Sequence, residues 1–269
     1  MAIITISRGT YSGGKNLAEC VAEKLGYRCI SREILVETAK KYKVPEEKLL
    51  ETLRNKPSLL DRLTMERDYY LAYIQAVLCE EIKKDNVVYH GHAGHLLLKN
   101  IPHVLKIKVI ADIEFRLKAA MSRNNLKREE ALQSIKKMDN ERAKWTKFLY
   151  GVDWNDPSLY DIVINLEHIT LSGACEIVCH AAGLDEYKTT PEIQKIMDDL
   201  ALSTHVKALI LMNESAAGAE IEVKADNGVV TIWGNAKTAE SVERIKDIVS
   251  RISGVKEVKS KIKLPWLIV

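Results

Sequence analysis

The sequence predicts an α/β domain followed by a small α+β domain of α-β-β-α-β order, and three observations lead to this fold class. Over residues 1–185, short apolar runs alternate with segments of helical periodicity, which is typical of a parallel sheet with helices on both faces. Near Gly183 this alternation ends and the polar segment DEYKTTP follows. A chain of 269 residues is also long enough for two domains. We therefore predict domains over residues 1–185 and 186–269.

The elements of the first domain follow from the spacing of its apolar residues. β-Branched runs predict strands, and apolar residues three or four positions apart predict helices. Gly26 marks the end of the first helix, and Pro45 suits a helix start because it lacks a backbone N–H. The predicted strands cover residues 2–7, 86–90, 103–111 and 161–165, with a further short segment at 28–30. The predicted helices cover residues 16–25, 32–42, 45–54, 64–84, 112–122, 127–150 and 170–182.

The second domain has a different order of elements. The turn sequence Asp226-Asn227-Gly228 predicts a hairpin, because Asn-Gly pairs favour the tight turns that join antiparallel strands. The predicted elements are a helix at 191–205, strands at 219–224 and 229–233, a helix at 238–252 and a strand at 255–264.

The composition excludes several classes of protein. With 46% hydrophobic and 29% charged residues, the chain is predicted to be globular, and neither disordered nor fibrous. No apolar run has the roughly 18 residues of a membrane helix, and no signal peptide pattern is present, so we expect a cytoplasmic protein without an integral membrane segment. The five cysteines form no C-x-x-C pair, which favours reduced, buried thiols. A net charge of +3 is small for a nucleic-acid binder, so no nucleic-acid partner is predicted.

The glycine-rich segment between the first strand and the first helix is the strongest chemical motif. It fits G-x-x-x-x-G-K, in which glycines let backbone N–H groups surround a phosphate and the lysine reaches the β- and γ-phosphates of a nucleotide. The strand–loop–helix context predicts a P-loop NTPase-type sheet; the alternative is a connector without a ligand. The predicted phosphate-binding residues are Gly9, Thr10, Tyr11, Ser12, Gly13, Gly14, Lys15 and Asn16.

Asn16 departs from this motif, which normally has Ser or Thr after the lysine. The hydroxyl at that position ligates Mg²⁺ in many P-loop proteins. Because an amide oxygen can also approach the ion directly or through water, Asn16 is a weak candidate Mg²⁺ ligand.

A second group of charges lies on the predicted helical stretch 112–150, which has ten basic and six acidic residues. A lid that folds over a nucleotide needs only two or three cations that reach the transferring phosphoryl group. The candidates are charged residues of this stretch, namely Lys136, Lys137, Asp139, Arg142, Lys144 and Lys147, together with Arg123. The alternative is a solvated helix face without a catalytic role.

Histidines and cysteines form two further clusters. His90, His92 and His95 follow one predicted strand, and a metal site, a substrate contact by His92 and plain loop structure are the three interpretations. Cys175 and Cys179 lie one helical turn apart and are interpreted as packing residues, since no second ligand pair has the spacing of a metal site.

Four segments within residues 1–185 resemble the cytidylate kinase-like family of P-loop nucleoside monophosphate kinases. They are ITISRGTYSGGKNLAECVAEKLGY, SREIL, NVVYHGHAGHLLL and KKMDNERAKWTKFLYGVDWNDPSLYDIVINLEHI. The resemblance implies a core sheet with the phosphate loop, a monophosphate-binding helical insert near residues 31–84, and a lid near residues 112–150.

The resemblance also implies roles for single residues. The loop residues would hold the donor phosphates, Arg32 would face the acceptor nucleotide, and Arg142 with Asp139 would belong to the lid. The candidate acceptor contacts are Arg32, His92 and Arg123.

Two positions differ from the family pattern near the acceptor. Ser31 stands where related sequences tend to have Asp before Arg-Glu, and His92 stands where the strand-end loop tends to have Arg. We therefore expect this chain to differ from the family more in its preference for a particular monophosphate than in its binding of the donor nucleotide.

Residues 191–264 resemble a BON domain, most clearly in DNGVVTIWGNAKTAESVERIKDIVSRISGVKEVKSKIKL. The resemblance implies a domain without a catalytic site, associated with phospholipid surfaces, protein partners or small ligands, or with self-association. The apolar tail 265–269 is predicted to bury Trp266 against its own domain, the kinase half or a second copy, in preference to a membrane.

Motif and resemblance together predict a kinase that transfers the γ-phosphoryl group of ATP to a nucleoside monophosphate, most simply CMP, with Mg²⁺. In this hypothesis Lys15 holds the donor, Arg32 fixes the acceptor, and Arg142 neutralises charge on the transferring group. The alternative is a catalytically weak nucleotide-binding regulatory module whose BON domain carries the output to a partner or lipid surface. A chain that ends near Gly183 is expected to fold and keep transfer activity.

Overall fold

The computed structural model describes residues 2–31, 33–54, 66–91, 93–99, 101–213 and 221–264. The chain forms two compact units. The first comprises Met1–Glu33, Leu53–Lys56 and Lys84–Thr190, and the second comprises Ile34–Thr52, Pro57–Lys83 and Pro191–Val269. Much of the helical insert therefore clusters with the C-terminal segment, while the domain boundary near residue 185 stays a prediction.

A five-stranded parallel sheet forms the centre of the first unit. The strands are β1 (Ile3–Arg8), β2 (Arg28–Ile30), β3 (Val87–His90), β4 (Val104–Ile110) and β5 (Ile162–Asn165). Their order is β2-β3-β1-β4-β5, so β1 lies in the middle. Ile6 of β1 pairs with His90 of β3 and with Ile107 of β4, which brings the carboxyl ends of these strands to one edge of the sheet. Ligands bind at this edge in open parallel sheets.

The described helices surround this sheet and build part of the second unit. They are α1 (Gly14–Leu25), α2 (Glu33–Tyr42), α3 (Glu46–Arg54), α4 (Glu66–Ile82), α5 (Gly94–Leu97), α6 (Ile113–Asn124), α7 (Arg128–Tyr150), α8 (Leu171–Ala182), α9 (Pro191–Met212) and α10 (Ala239–Ser250). In the first unit, α1 and α8 contact each other and share one buried core with the sheet. None of the described helices combines the length and apolar character needed to cross a bilayer.

The second unit contains a three-stranded mixed sheet. Its strands are β6 (Ile221–Asp226), β7 (Val229–Asn235) and β8 (Glu257–Lys263). β7 pairs antiparallel with β6 and parallel with β8, and α9 and α10 cover the sheet. Asn227 and Gly228 join β6 to β7 with positive φ angles of 50° and 85°, as the predicted hairpin turn requires. The fold class predicted for both parts of the chain is confirmed.

One predicted boundary is wrong. α9 continues to Met212, seven residues beyond the predicted end at residue 205. The extension is stable because Val206 and Ile210 pack into the core of the three-stranded sheet.

Candidate active site

The phosphate loop, residues 9–13, connects β1 to α1 and is hydrogen-bonded to β4. The backbone N–H of Gly9 donates to the carbonyl oxygen of Val109 at 3.2 Å. The buried hydroxyl of Ser12 donates to the carbonyl oxygens of Gly9, at 2.9 Å, and of Val109, at 3.2 Å. These bonds to the central sheet fix the shape of the loop.

The N-terminus of α1 follows directly from the loop and suits an anion. Gly13 is the N-cap residue, with φ +88°, and it has no side chain to cap the first N–H groups of the helix. A Cβ atom on Gly14 would lie 2.7 Å from the Cβ of Arg8, so the close approach of β1 and α1 requires glycine. Uncapped N–H groups and the helix dipole together favour phosphate binding. Lys15 is exposed, with its ammonium 3.4 Å from Glu19, and is available to a nucleotide outside the loop.

Asp139 of α7 connects the predicted lid to the phosphate loop. Its Oδ1 accepts hydrogen bonds from the backbone N–H of Thr10 at 3.0 Å and from the Thr10 hydroxyl at 2.7 Å. Its Oδ2 is paired with Arg116 of α6, whose Nε donates to the Thr10 carbonyl oxygen at 2.8 Å. Asp139 therefore holds the N–H and the hydroxyl of Thr10, and its partner Arg116 holds the carbonyl oxygen of the same residue.

Two arginines of the predicted lid also contact the phosphate-binding segment. Arg142 Nη1 donates to the carbonyl oxygen of Arg8 at 3.1 Å and to the Thr10 hydroxyl at 3.0 Å. Arg123 Nη2 donates to the side-chain oxygen of Asn16 at 3.0 Å. The structure thus brings Arg123, Asp139 and Arg142 together with the predicted loop residues.

A small cavity of about 50 Å³ lies at the carboxyl ends of β1 and β3. The residues that line it are Ser7, Arg8, Gly91, Arg142 and Trp154. Arg8 Nη1 lies 2.6 Å from His90 Nδ1, and since a guanidinium only donates, this imidazole nitrogen is the acceptor. Burial, with the nearby charge of Arg8, lowers the pKa of His90 to about 4, so the imidazole is neutral at physiological pH. Two guanidinium groups beside a neutral partner favour an anion in this cavity.

Comparison with known families fits this geometry. The model of the cytidylate kinase-like family matches residues 3–168, which is more than half of the chain. The chain belongs to this family. The model of the BON domain matches residues 198–265, so this family member has a BON domain after its kinase segment.

Individual relatives give the same result. A cytidylate kinase of Staphylothermus marinus is 31% identical over 180 residues, which are 66% of this chain and 94% of the relative. A cytidylate kinase of Methanoregula boonei is 27% identical over 191 residues, 70% of this chain and 97% of the relative. The crystal structure of an uncharacterized protein from Eubacterium ventriosum shares the fold, with a TM-score of 0.51, 20% identity, and coverage of 67% of this chain and 98% of that one.

Three basic residues at the site of this family member were missed by the sequence analysis. Arg8 and Arg116 lie beside the phosphate loop, and Lys108 lies on β4 with its ammonium donating to the carbonyl oxygen of Trp154 at 2.9 Å. The same ammonium lies 3.1 Å from the centre of the Trp154 ring. Burial lowers the pKa of Lys108 to about 7. The sequence signal that could have indicated Lys108 is the presence of a lysine within the apolar strand VLKIKVI.

Some predicted positions lie outside the described residues. These are Arg32, His92 and the tail 265–269 with Trp266. The roles predicted for them stay predictions.

The remaining histidine and cysteine clusters have packing contacts. His95 is buried, with its ring centre 4.7 Å from that of Tyr160. Cys175 is buried beside Cys20 and Cys179 in the core between α1 and α8, where burial raises the pKa of its thiol. Within the ranges that the structure describes, no group of three or more His, Cys, Asp or Glu residues is arranged to hold a metal ion.

Proposed function

We propose that this chain is a nucleoside monophosphate kinase that transfers the γ-phosphoryl group of ATP to CMP. The observation that carries the proposal is the contact of Asp139 and Arg142, on α7, with Thr10 of the phosphate loop. In such kinases a lid must bring cations to the phosphates and exclude water, because an exposed triphosphate would be hydrolysed. The relatives named cytidylate kinase, aligned over nearly their whole length, support CMP as the acceptor.

In this proposal the chain supplies positions and charges and forms no covalent intermediate. The loop N–H groups and Lys15 hold the β- and γ-phosphates of ATP. Asp139 keeps Thr10 in place, and Arg142 neutralises the negative charge that develops on the transferring group. The small cavity beside Arg8 and Arg142 receives an oxyanion of the transferring or acceptor phosphoryl group; its volume is about 50 Å³, several times the roughly 10–15 Å³ that one water needs.

The loop and the N-terminus of α1 fit a triphosphate, which would carry Mg²⁺. When bound, the ion would offset the negative charge of the phosphates. The Asn16 oxygen accepts a hydrogen bond from Arg123, whose positive charge would oppose a cation at the same oxygen. Asn16 therefore contributes less to holding the ion than the hydroxyl that it replaces.

The test is a coupled assay of ADP release with the purified full-length chain, ATP and Mg²⁺, against CMP, dCMP, UMP, AMP and GMP. We expect CMP or dCMP to give the highest kcat/KM, with chromatographic detection of the diphosphate product. The Lys15→Ala variant controls for contaminating kinases. A folded protein that binds ATP but forms no diphosphate from any of the five acceptors would contradict the proposal and favour the regulatory module.

A further inference from the structure

We infer that α9, the first helix of the BON domain, positions the helical insert that binds the acceptor nucleotide. This inference rests on the proposed function, because the insert is assigned to the acceptor by family resemblance. It gives the BON domain a part in the kinase reaction that neither family model assigns to it.

The C-terminal half of the insert helix α4 contains a segment, residues 76–79, that is buried on every side. The buried residues of α4 are Ala72, Tyr73, Ile74, Ala76, Val77, Leu78, Cys79 and Ile82. Four consecutive positions, 76–79, are buried, and successive residues of a helix differ by about 100° in direction. No face of this segment is therefore left to water, and a helix of this kind depends on neighbours for its stability.

The helix α9 has two opposite buried faces. Val206 and Ile210 belong to the core of the BON sheet. Thr204 and Ala208 are also buried, and they lie roughly 160° from Val206 around the helix axis. A helix that only covered its own sheet would leave this second face to solvent.

Contacts between α4 and α9 account for the second face. The two helices pack against each other, and the side chain of Thr204 lies beside the buried Cys79 thiol. At the edge of the contact, the ammonium of Lys83 lies 3.2 Å from a carboxylate oxygen of Asp198. The buried centre and the charged edge together fix α4 relative to α9.

The same packing extends to α2, the insert helix that begins within the SREIL segment. The rings of Tyr42 and Tyr73 are stacked, with centres 4.5 Å apart and planes 9° from parallel. Lys41 of α2 is paired with Glu80 of α4. Because α2 packs on α4 and α4 packs on α9, a change at the α9 face alters the support of the whole insert.

The expected consequence is selective for the acceptor. The phosphate loop belongs to the first compact unit, whereas α4 and α9 belong to the second. Disturbing the α4–α9 contact is therefore expected to raise the KM for CMP and to leave the KM for ATP within about twofold.

The test compares two variants of the full-length chain. Thr204→Glu places a carboxylate against Cys79, and Ile196→Glu places the same group on an exposed position of the same helix, where Ile196 is 39% exposed. For Thr204→Glu we expect the KM for CMP to rise about tenfold or more, the factor expected for a buried polar group without a partner. Ile196→Glu is expected to match the wild type.

Hydrogen exchange supplies a second readout that does not depend on activity. In Thr204→Glu the amides of α4 are expected to lose protection while those of α1 keep it. Unchanged exchange in α4 together with an unchanged KM for CMP would overturn the inference, as would equal loss of protection in α1. If the wild type makes no CDP, the proposed function fails, and selective loss in α4 still supports the structural coupling.

If Thr204→Glu does not fold, exchanging the two charges of the Lys83–Asp198 ion pair tests the same inference. Lys83→Glu and Asp198→Lys are each expected to raise the KM for CMP about two- to fivefold, the range for a partly exposed ion pair. The double variant is expected to return to the wild-type value because it restores the pair. Additive effects in the double variant would overturn the inference.

Discussion

Lys108 allows a quantitative prediction about stability and pH. Its side chain is only 4% exposed, beneath Trp154. Burial is the largest cause that lowers its pKa, from the ordinary 10.5 to about 7, with Arg142 and Arg116 acting in the same direction and Asp139 and Asp153 opposing them. The perturbation is Lys108→Met, which keeps the length of the side chain and removes the titrating group.

The sign follows from proton binding. Below pH 7 both the folded and the unfolded chain hold the proton, so the cost of burying the charge is constant. Between pH 7 and 10.5 the folded chain has released the proton and the unfolded chain retains it. Stability rises with pH wherever the unfolded state binds more protons. The wild type should therefore gain stability relative to Lys108→Met over this interval.

The magnitude comes from the same two pKa values. Linkage gives about 1.4 kcal/mol per pH unit in the middle of the interval, and about 2.5 kcal/mol between pH 7.5 and 9.5. The assay is urea unfolding of both proteins in a Trp233→Phe, Trp266→Phe background. Fluorescence then reports on Trp145 and Trp154, both buried in the first unit. A difference in unfolding free energy that stays constant, or that shifts toward the methionine variant as pH rises, would refute the reasoning.

Three further predictions concern activity and folding. Lys15→Ala is expected to lower kcat by about 10²-fold or more without changing the melting temperature, because the side chain is exposed and, in the proposed mechanism, supplies charge to the phosphates. An unchanged kcat in steady-state kinetics would contradict this role. Arg142→Ala is expected to lower kcat more than it raises either KM, since in the proposed mechanism its charge is needed mainly in the transition state. Binding titrations with ATP and CMP that show the whole loss in affinity would assign it to binding alone. A chain that ends at Thr190 lacks α9, so α4 loses the helix that it packs against. Contrary to the expectation from sequence, we expect hydrogen exchange to show an unprotected α4 and kinetics to show a raised KM for CMP. Truncated protein with a fully protected α4 would contradict this prediction.

Local signals in the sequence were sufficient to predict the main helices and strands and to locate the phosphate loop. Apolar β-branched runs located the strands because a strand buried on both faces needs such residues in succession. The Asn227-Gly228 pair located the hairpin because both residues tolerate positive φ. The glycines and Lys15 between a strand and a helix located the loop because each requirement of the motif is met within a few residues.

Contacts between distant residues were decided by the tertiary structure. Thr10 and Asp139 are 129 positions apart, and their contact depends on the sheet order and on how α7 packs. The family resemblance identified Asp139 and Arg142 as site residues. Arg8, Arg116 and Lys108 were recognised at the site only from the assembled strands and helices. The buried face of α9 toward α4 shows the same limit. Periodicity reveals that a helix has apolar sides, whereas the identity of the neighbour on each side depends on the arrangement of the whole chain.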